Sequence, residues 1–251
     1  MKQTRHLLIA LALGTMLTSC GASVSTATVT GPAAYVDPYI GSGGHGHVFV
    51  GASVPFGAIQ AGPQNIHKGW DWCSGYHHSD SIVIGFAHTH LSGTGCTDMG
   101  DVQIMPYTGE LRSKRGRQED IGGSCSSYYS HDNESVSPGY YSLKMNNGVQ
   151  IEMTASTRTA LHRITYPEAE GRRLLINLEE GNGDGAYDTY LRQTDAHTVE
   201  GYRFSKGWGP HKVFFALTTD KPIRSLALFD ADTPSEGSEI RCKGAKGVLT
   251  F

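Results

Sequence analysis

Hydrophobic residues along this chain recur in short runs in which β-branched or aromatic positions alternate with polar ones. No long stretch combines the period of an amphipathic helix with the residues that cap one. Nine segments fit strands instead. They are Ser81–Ala87, Asp101–Tyr107, Tyr140–Met145, Val149–Ser156, Thr159–Tyr166, Arg173–Leu178, His197–Ser205, Lys212–Thr219 and Ile223–Phe229. Many short strands at this spacing predict an all-β fold, either a β-sandwich or a barrel.

Turn sequences separate these segments. The clearest is Asn146-Asn147-Gly148, because Asn and Gly suit the positive φ angles of a tight hairpin turn. The glycine-rich stretch 181–185 is interpreted as another turn. Residues 246–251 begin a strand pattern with no turn or polar tail after it. A terminal strand is one interpretation of this segment, and a truncated domain is the other. We expect a β-sandwich that is incomplete at its C-terminal end.

The first twenty residues predict export. Lys2 and Arg5 precede the short apolar run Leu7–Leu17, whereas a membrane-spanning helix needs about 20 apolar residues. The stretch ending in Cys20 resembles a bacterial lipobox, which implies a signal peptide at 1–19, a lipid on Cys20 and a flexible tether at 20–34. An ordinary signal peptide is the alternative. We expect an exported bacterial lipoprotein of the periplasm or outer membrane, or of the cell surface, that meets the membrane only through its lipid anchor.

Charge and cysteine content narrow the function classes. The chain has 21 Lys and Arg against 24 Asp and Glu, a net charge of −3. This balance argues against a nucleic-acid partner, which favours a basic protein. Cys73, Cys96, Cys125 and Cys242 form no C-x-x-C pair, so a zinc knuckle is unsupported. Two disulfides and four free thiols both remain open.

Glycine and histidine concentrate in residues 35–108, which hold 13 of the 32 glycines and 7 of the 12 histidines. We interpret this part as loop-rich and functional, and the part from residue 140 onward as scaffold. His45 and His47, like His88 and His90, have the spacing at which two histidines on a strand share one face and bind a metal. The alternative is that these histidines make hydrogen bonds in a polar cleft.

The segment Gly69–Asp80 combines three aromatic residues, two acids and two histidines in twelve positions. Aromatic rings stack on the apolar face of a sugar, while carboxylates and imidazoles make hydrogen bonds with its hydroxyls. This mixture favours a carbohydrate site over a surface loop with one core tryptophan.

The segment Gly85–Asp101 is rich in small residues, which let a backbone approach a ligand closely. Asp98 and Asp101 are candidate acids within it, although their spacing in sequence does not reveal their separation across a glycosidic bond. His90 and Ser92 lack the G-x-S-x-G context of a nucleophile elbow.

Several of these segments, in this order, resemble the N-terminal part of the family-92 glycoside hydrolases, the bacterial exo-α-mannosidases. The resemblance extends over residues 35–251. The matching motifs are Tyr35–Gly41 (YVDPYIG), Gly51–Gly57 (GASVPFG), Gly69–Tyr76 (GWDWCSGY), Gly85–Gly95 (GFAHTHLSGTG), Gly100–Pro106 (GDVQIMP) and Gly201–Trp208 (GYRFSKGW).

The resemblance implies an N-terminal β-sandwich followed by an (α/α)₆-barrel domain that carries the general acid, a Glu, and the general base, an Asp. It also implies calcium-dependent, inverting hydrolysis of α-mannosides such as the mannose of N-glycans. No residue of this chain matches the acid or the base, and the calcium ligands are not identifiable in it. The barrel domain is missing or separately encoded, so we expect the chain to be inactive by itself.

In such enzymes the sandwich lends loops to the mannose pocket, and the matched motifs supply its candidate substrate contacts. They are Phe56, Gly57, Trp70, Asp71, Tyr76, His88, His90 and Asp101. Trp70 would stack near the leaving sugar, with Asp71 and Tyr76 beside it, and Phe56 and Gly57 would border the pocket.

Two other functions stay open. A stand-alone carbohydrate-binding lipoprotein would use the same aromatic loop to bind a glycan without any catalysis. A metal-dependent hydrolase would instead bring together His45, His47, His88 and His90 around one ion.

Overall fold

The computed structural model describes residues 30–251, which form 18 β-strands joined by turns and three short 3₁₀ helices. The strands are β1 (Ala52–Ser53), β2 (Gln60–Gln64), β3 (Ile82–Val83), β4 (Gly85–Ala87), β5 (Gln103–Tyr107), β6 (Ser127–Tyr128), β7 (Glu134–Ser137), β8 (Tyr140–Lys144), β9 (Gln150–Ala155), β10 (Ala160–Thr165), β11 (Arg173–Asn177), β12 (Gly185–Gln193), β13 (Thr198–Lys206), β14 (Pro210–Thr218), β15 (Ser225–Asp230), β16 (Thr233–Ser235), β17 (Glu239–Cys242) and β18 (Ala245–Thr250). The 3₁₀ helices are Gly31–Tyr35, Trp70–Trp72 and His131–Asn133. Over this range, no helix has the length and apolar character that crossing a bilayer requires.

An eight-stranded antiparallel sheet forms the centre of the fold, in the order β1-β2-β4-β5-β11-β18-β15-β16. Two four-stranded antiparallel sheets, β10-β9-β8-β7 and β14-β13-β12-β17, pack against different parts of it. β9 contacts β1 and β2, and β12 contacts β18. Antiparallel sheets layered in this way form a β-sandwich, so the predicted fold class is confirmed.

Buried residues aligned across neighbouring strands build the core. Met105, Leu175 and Val248 lie in register on β5, β11 and β18, and all three are buried. Next to them, Gly247 has no space for a side chain, because Leu191 of β12 occupies it. The glycine therefore lets the second four-stranded sheet approach the central one closely.

Eight of the nine predicted segments coincide with single strands, and the ninth, Ser81–Ala87, is divided into β3 and β4. Its two halves pair with different partners, β3 with β6 and β4 with β2 and β5. The break falls at Ile84, whose N–H donates to the carbonyl of Gln64 at 2.9 Å. The predicted hairpin is confirmed, since Met145 N–H donates to Val149 across Gly148, which has a φ of 85°.

Seven strands are missing from the sequence-based prediction, namely β1, β2, β6, β7, β12, β16 and β17, and β12 is the longest of them. Its first residue, Gly185, belongs to the glycine cluster interpreted as a turn, and a bulge between Ala186 and Asp188 interrupts the alternation that follows. The strand pattern at residues 246–251 is confirmed as β18. This strand lies inside the central sheet and pairs with β11 on one side and β15 on the other.

The predicted signal peptide, the lipidation site Cys20 and the tether as far as residue 29 lie outside the described residues. The other four cysteines lie within them. Cys73, Cys96, Cys125 and Cys242 are all free thiols in the structure.

Candidate functional site

Backbone strain concentrates in the part of the chain that the sequence marks as functional. Four non-glycine residues there adopt a left-handed conformation, with φ between 51° and 65°. They are His47, Phe56, Met99 and Val102. Elsewhere in residues 30–251, only Ala231 does the same. Such conformations cost free energy, most of all for a β-branched residue, and they accumulate where a ligand site requires them.

Trp70 is an exposed ring that is fixed in place. It begins the 3₁₀ helix Trp70–Trp72, and its indole N–H donates to the carbonyl of Gly95 at 2.9 Å. The ring of His47 meets it edge-on, with the centroids 4.1 Å apart. Nevertheless 58% of Trp70 remains exposed. The indole thus has a set orientation and an open surface, which are the two properties of a stacking platform.

Asp71 lies next to Trp70 and binds the two histidines of the glycine-rich loop. His45 Nδ1 is 2.6 Å from its Oδ1 and His47 Nε2 is 3.4 Å away. The hydrogen bond from His45 is the main cause that lowers the pKa of Asp71. The carboxylate therefore stays ionised and accepts hydrogen bonds at neutral pH.

Phe56 projects from a turn that follows β1. Gly57 N–H donates to the carbonyl of Val54 at 3.0 Å and closes this turn, with Pro55 and Phe56 at its centre. Phe56 has a φ of 60° and is fully exposed. A side chain at Gly57 would crowd against Val54. The turn thus holds a large apolar ring in solvent at the expense of backbone strain.

Tyr76 is buried, unlike the three residues above. Its hydroxyl donates to Oε2 of Glu134 at 3.0 Å, and the hydroxyl of Tyr141 donates to Oε1 of the same carboxylate at 2.7 Å. Burial, with a contribution from Glu134, raises the pKa of Tyr76 far above its usual value. Tyr76 is therefore a neutral phenol in a buried hydrogen-bonded cluster beneath the loops.

His88 and His90 also lie below the surface of the loops. His88 Nδ1 donates to Val102 O at 2.6 Å, and its Nε2 lies 2.9 Å from Nε2 of His162 on β10. His90 Nδ1 donates to Gln60 O at 2.8 Å, and its ring stacks on Phe49. Burial lowers the pKa of both histidines, that of His90 to about 4. They are neutral supports that join β2, β4 and β10.

Asp101 is completely buried in a network of charged groups. Its Oδ1 accepts from Arg203 at 2.6 Å, and its Oδ2 accepts from the hydroxyl of Thr89 at the same distance. Arg203 also donates two hydrogen bonds to Asp184, at 2.7 and 2.9 Å. His211 Nε2 lies 3.1 Å from Asp101. This network ties the loop before β5 to β13, β14 and the turn before β12.

The predicted contacts of these eight residues with a sugar stay predictions. The structure separates them into an accessible group and a supporting group. Trp70, Asp71 and the turn of Phe56 and Gly57 reach the surface, whereas the other four are buried or turned toward hydrogen-bond partners below it. Those four are Tyr76, His88, His90 and Asp101.

A cavity of about 320 Å³ lies near the turn before β12, and none of the eight residues lines it. Gln64, Arg115 and Asn182 are among its walls. Asn182 donates its side-chain amide to the carbonyl of Cys73 at 2.7 Å. The cavity therefore touches the structure that supports the Trp70 helix rather than the exposed face of the indole.

Two groups of side chains in residues 30–251 have the spacing to hold a metal ion. One is His78, His131 and Glu134, and the other is Asp98, Asp184 and His211. Neither contains any of the four histidines of the predicted metal-dependent hydrolase. Calcium requires roughly six to eight oxygen ligands. The first group offers two nitrogens, and the acids of the second already bind Arg203 and backbone N–H groups. Neither group fits calcium.

The buried charged residues that support the loops were not predicted from the sequence. Arg203 occupies an inward position of β13, where apolar side chains are expected. A charged residue at such a position indicates a buried ion pair and could have been recognised from the sequence. Asp98 was recognised only as a candidate acid. Its Oδ2 accepts from the N–H groups of Trp208 and Gly209 at 3.1 and 3.2 Å. No short-range pattern joins residues 98 and 208.

The layered β fold of this chain is similar to that of solved mannosidases. An α-mannosidase of family 92 from Bacteroides thetaiotaomicron, solved in complex with mannoimidazole, matches with a TM-score of 0.83 and 34% identity over 87% of this chain and 30% of that one. An inverting mannosidase of the same family from Bacteroides thetaiotaomicron VPI-5482 matches with a TM-score of 0.72 and 25% identity over 87% of this chain and 29% of that one.

The chain belongs to glycosyl hydrolase family 92. The family description that matches it, over residues 35–251, is "Glycosyl hydrolase family 92 N-terminal domain", so the resemblance found in the sequence is confirmed. An "Uncharacterized secreted glycosidase" of Arthroderma benhamiae is 32% identical over 158 residues, which are 59% of this chain and 18% of that protein. The chain spans about 30% of the length of the solved mannosidases that it matches.

Proposed function

We propose that this chain is the mannose-contacting N-terminal domain of an inverting exo-α-mannosidase that acts on α-mannosides such as the mannose of N-glycans. The observation that carries the proposal is the exposed indole of Trp70, held by Gly95 and His47. Two solved relatives are mannosidases, and one of them was solved with mannoimidazole bound. Both facts support a mannose-like ligand at this tryptophan.

The chemistry of the accessible residues suits one sugar ring. A hexose presents an apolar face of C–H groups and a rim of hydroxyls. Trp70 offers the flat apolar surface, and Asp71, kept ionised by His45, accepts hydrogen bonds from hydroxyls. Phe56 is a further exposed apolar ring, displayed by its strained turn. The more buried candidates Tyr76, His88, His90 and Asp101 hold these loops in place.

Catalysis is assigned to residues beyond this chain. Inverting hydrolysis needs a general acid and a general base roughly 6.5–9.5 Å apart, with space for a water molecule. The two candidate acids Asp98 and Asp101 are both engaged by N–H groups, Asp101 by those of Arg203, and Asp71 binds His45. We infer that the acid, the base and the calcium ligands lie in another part of the longer enzyme. The isolated chain is then inactive.

The cellular location is part of the same proposal. The lipobox ending in Cys20 favours an exported lipoprotein of the periplasm or outer membrane, and the secreted glycosidase of Arthroderma benhamiae supports export. A stand-alone binding lipoprotein is not favoured, because the similarity to mannosidases extends over 87% of the chain.

A calorimetric titration of the chain with α-mannobiose tests the function. We expect saturable binding that is lost in Trp70→Ala and retained in Phe214→Ala, an equally aromatic and exposed control on β14. A second assay measures release of mannose from mannobiose with calcium present, where we expect no turnover. Binding that survives Trp70→Ala would overturn the assigned site, and robust turnover would overturn the placement of catalysis outside the chain.

A further inference from the structure

Trp208 is the most exposed of the three tryptophans, and nothing in the function proposed above uses it. It lies in the turn between β13, which ends at Lys206, and β14, which begins at Pro210, with a glycine on each side. Its exposed fraction is 82%. An indole left in solvent gives up the stabilisation that burial of its large apolar surface would provide. Folding alone therefore does not explain why this turn displays a tryptophan.

The backbone under Trp208 is fixed, although the ring is free. One oxygen of Asp98 accepts from the N–H groups of both Trp208 and Gly209, and the other accepts from Met99 N–H at 2.9 Å. A side chain at Gly207 would collide with this carboxylate, so the glycine is needed for the close approach. The turn is therefore held on a buried acid that comes from a different loop.

That loop also holds Trp70. The indole of Trp70 donates to Gly95, and the backbone of Trp208 donates to Asp98, three residues further along the same chain segment. Three residues span at most about 11 Å even when fully extended. The anchoring points of the two exposed tryptophans are therefore close together and cannot move independently of the segment Gly95–Asp98.

The strands that carry the Trp208 turn are fixed by the buried network. Arg203 of β13 binds Asp101 and Asp184, and His211 of β14 binds Asp101 and the hydroxyl of Ser205. These contacts lie on both sides of the turn and connect it to the loop before β5. A rigid support beneath an unburied ring is the arrangement expected of a binding residue, because little order is lost when the ligand arrives.

We propose that Trp208 forms a second sugar-binding position, which stacks on a further residue of an extended α-mannoside whose first residue lies at Trp70. This proposal rests on the function proposed above. The polar neighbours in sequence favour a sugar over a protein partner, because Lys206 is exposed on one side of the turn and His211 is partly exposed on the other. Trp208 thus makes binding depend on the number of sugar residues in the mannoside.

The test compares α-mannobiose with linear α-mannotetraose, titrated into the intact chain and into Trp208→Ala, Trp208→Phe and Phe214→Ala. We expect the intact chain to bind the tetraose more tightly than the biose. Trp208→Ala should weaken tetraose binding about tenfold, which corresponds to about 1.4 kcal/mol, and leave biose binding unchanged. Trp208→Phe, which keeps a flat ring, should restore most of the preference, and Phe214→Ala should leave it intact.

The outcomes separate this inference from the proposed function. If Trp70→Ala abolishes binding of both sugars while Trp208→Ala affects neither, the second position is refuted and the function stands. An equal loss for both sugars in Trp208→Ala would place Trp208 in the first position instead and would also refute the inference. If the folded chain binds neither sugar, the proposed function fails, and the second position fails with it.

Discussion

Two sets of surface aromatic residues in this domain have different origins. Trp70, Phe56 and Trp208 project from turns, and hydrogen bonds from the backbone or the indole fix them. The second set, here called the aromatic stripe, lies on the outer face of the sheet β14-β13-β12-β17. It consists of Tyr190, Tyr202, Phe204 and Phe214. Exposure alone does not separate the two sets, because Phe214 of the stripe is 69% exposed and Trp70 is 58% exposed, although the other three rings of the stripe are only partly exposed.

The rings of the aromatic stripe contact one another, whereas the loop rings do not. Tyr202 and Phe204 stack with centroids 4.4 Å apart, Phe214 meets Phe204 edge-on at 5.4 Å, and Lys212 lies over Phe204. Cross-strand pairs of this kind contribute about 0.2–1 kcal/mol each to stability. The stripe is therefore explained by the sheet. Exposure alone therefore does not distinguish a binding residue from a surface ring that the sheet explains. Trp70 and Trp208 differ from the stripe because hydrogen bonds to neighbouring loops fix residues whose rings pack on no other aromatic ring of their own set.

Strand β13 connects the two sets physically. Tyr202 and Phe204 point outward into the aromatic stripe, and Arg203 between them points inward to Asp101 and Asp184. One strand thus builds a stable face by alternation and uses its buried side to support the loops. Substitutions on its two faces should have different consequences, and the following predictions are built on that difference.

The largest expected effect is that of Arg203→Ala. Removing the guanidinium leaves two buried carboxylates without their partner, which costs about 3–5 kcal/mol. Urea denaturation followed by circular dichroism measures this loss. Arg192→Ala removes an exposed ion pair with Glu200 on the outer face, and it should cost less than about 1 kcal/mol. Equal losses in the two variants would contradict the supporting role of the network.

The free energy of unfolding should fall in acid, because burial holds two histidines beneath the loops neutral. Burial lowers the pKa of His90 to about 4 and that of His162 to about 3, while the unfolded chain takes up these protons near pH 6.5. Stability is therefore complete above about pH 6.5 and falls as pH decreases toward 4. In this window, each of the two histidines lowers the free energy of unfolding by up to about 1.4 kcal/mol per pH unit.

Denaturation curves between pH 4 and pH 8 measure this slope, and His162→Gln provides the control. Glutamine retains an N–H donor for His88 but does not titrate, so the variant should lose stability less steeply in acid. His211 acts in the opposite direction. Burial opposes its protonation, but Asp101, the carbonyl of Gly209 and Asp184 together outweigh burial and raise its pKa. Its contribution is therefore present below pH 6.5 and is lost as pH rises through the raised value. An acid slope that His162→Gln leaves unchanged would contradict the assignment.

A smaller effect separates stability from binding. Tyr202→Ala removes the central ring of the aromatic stripe and should lower the free energy of unfolding by about 1 kcal/mol without changing the affinity for α-mannobiose. Trp70→Ala should abolish binding and change stability less, because its ring is more than half exposed. Thermal unfolding and calorimetry on the same two variants decide the point. Loss of sugar binding in the Tyr202 variant would contradict the claim that the aromatic stripe serves stability and not binding.

Local sequence patterns predicted most of the strands but only part of the candidate site. Alternation reveals the strands whose inward residues are apolar, but Gly185 and the bulge after Ala186 conceal β12. The segment around Trp70 and Asp71 was recognisable because its residue types lie side by side. Asp98 beneath Trp208 and His162 beside His88 were not, since these partners are 110 and 74 residues apart in sequence. Such contacts depend on sheet topology, which no short motif encodes.

The most direct test of the central claim observes Trp70 itself while sugar is added. The chain has three tryptophans, whose indole N–H signals can be assigned in the ¹⁵N-labelled protein with single Trp→Phe variants. During an α-mannobiose titration the signal of Trp70 should shift and saturate. That of Trp72, whose indole donates to Asp80, should stay in place. A folded chain in which the Trp70 signal does not respond, or in which only Trp72 responds, would contradict the account.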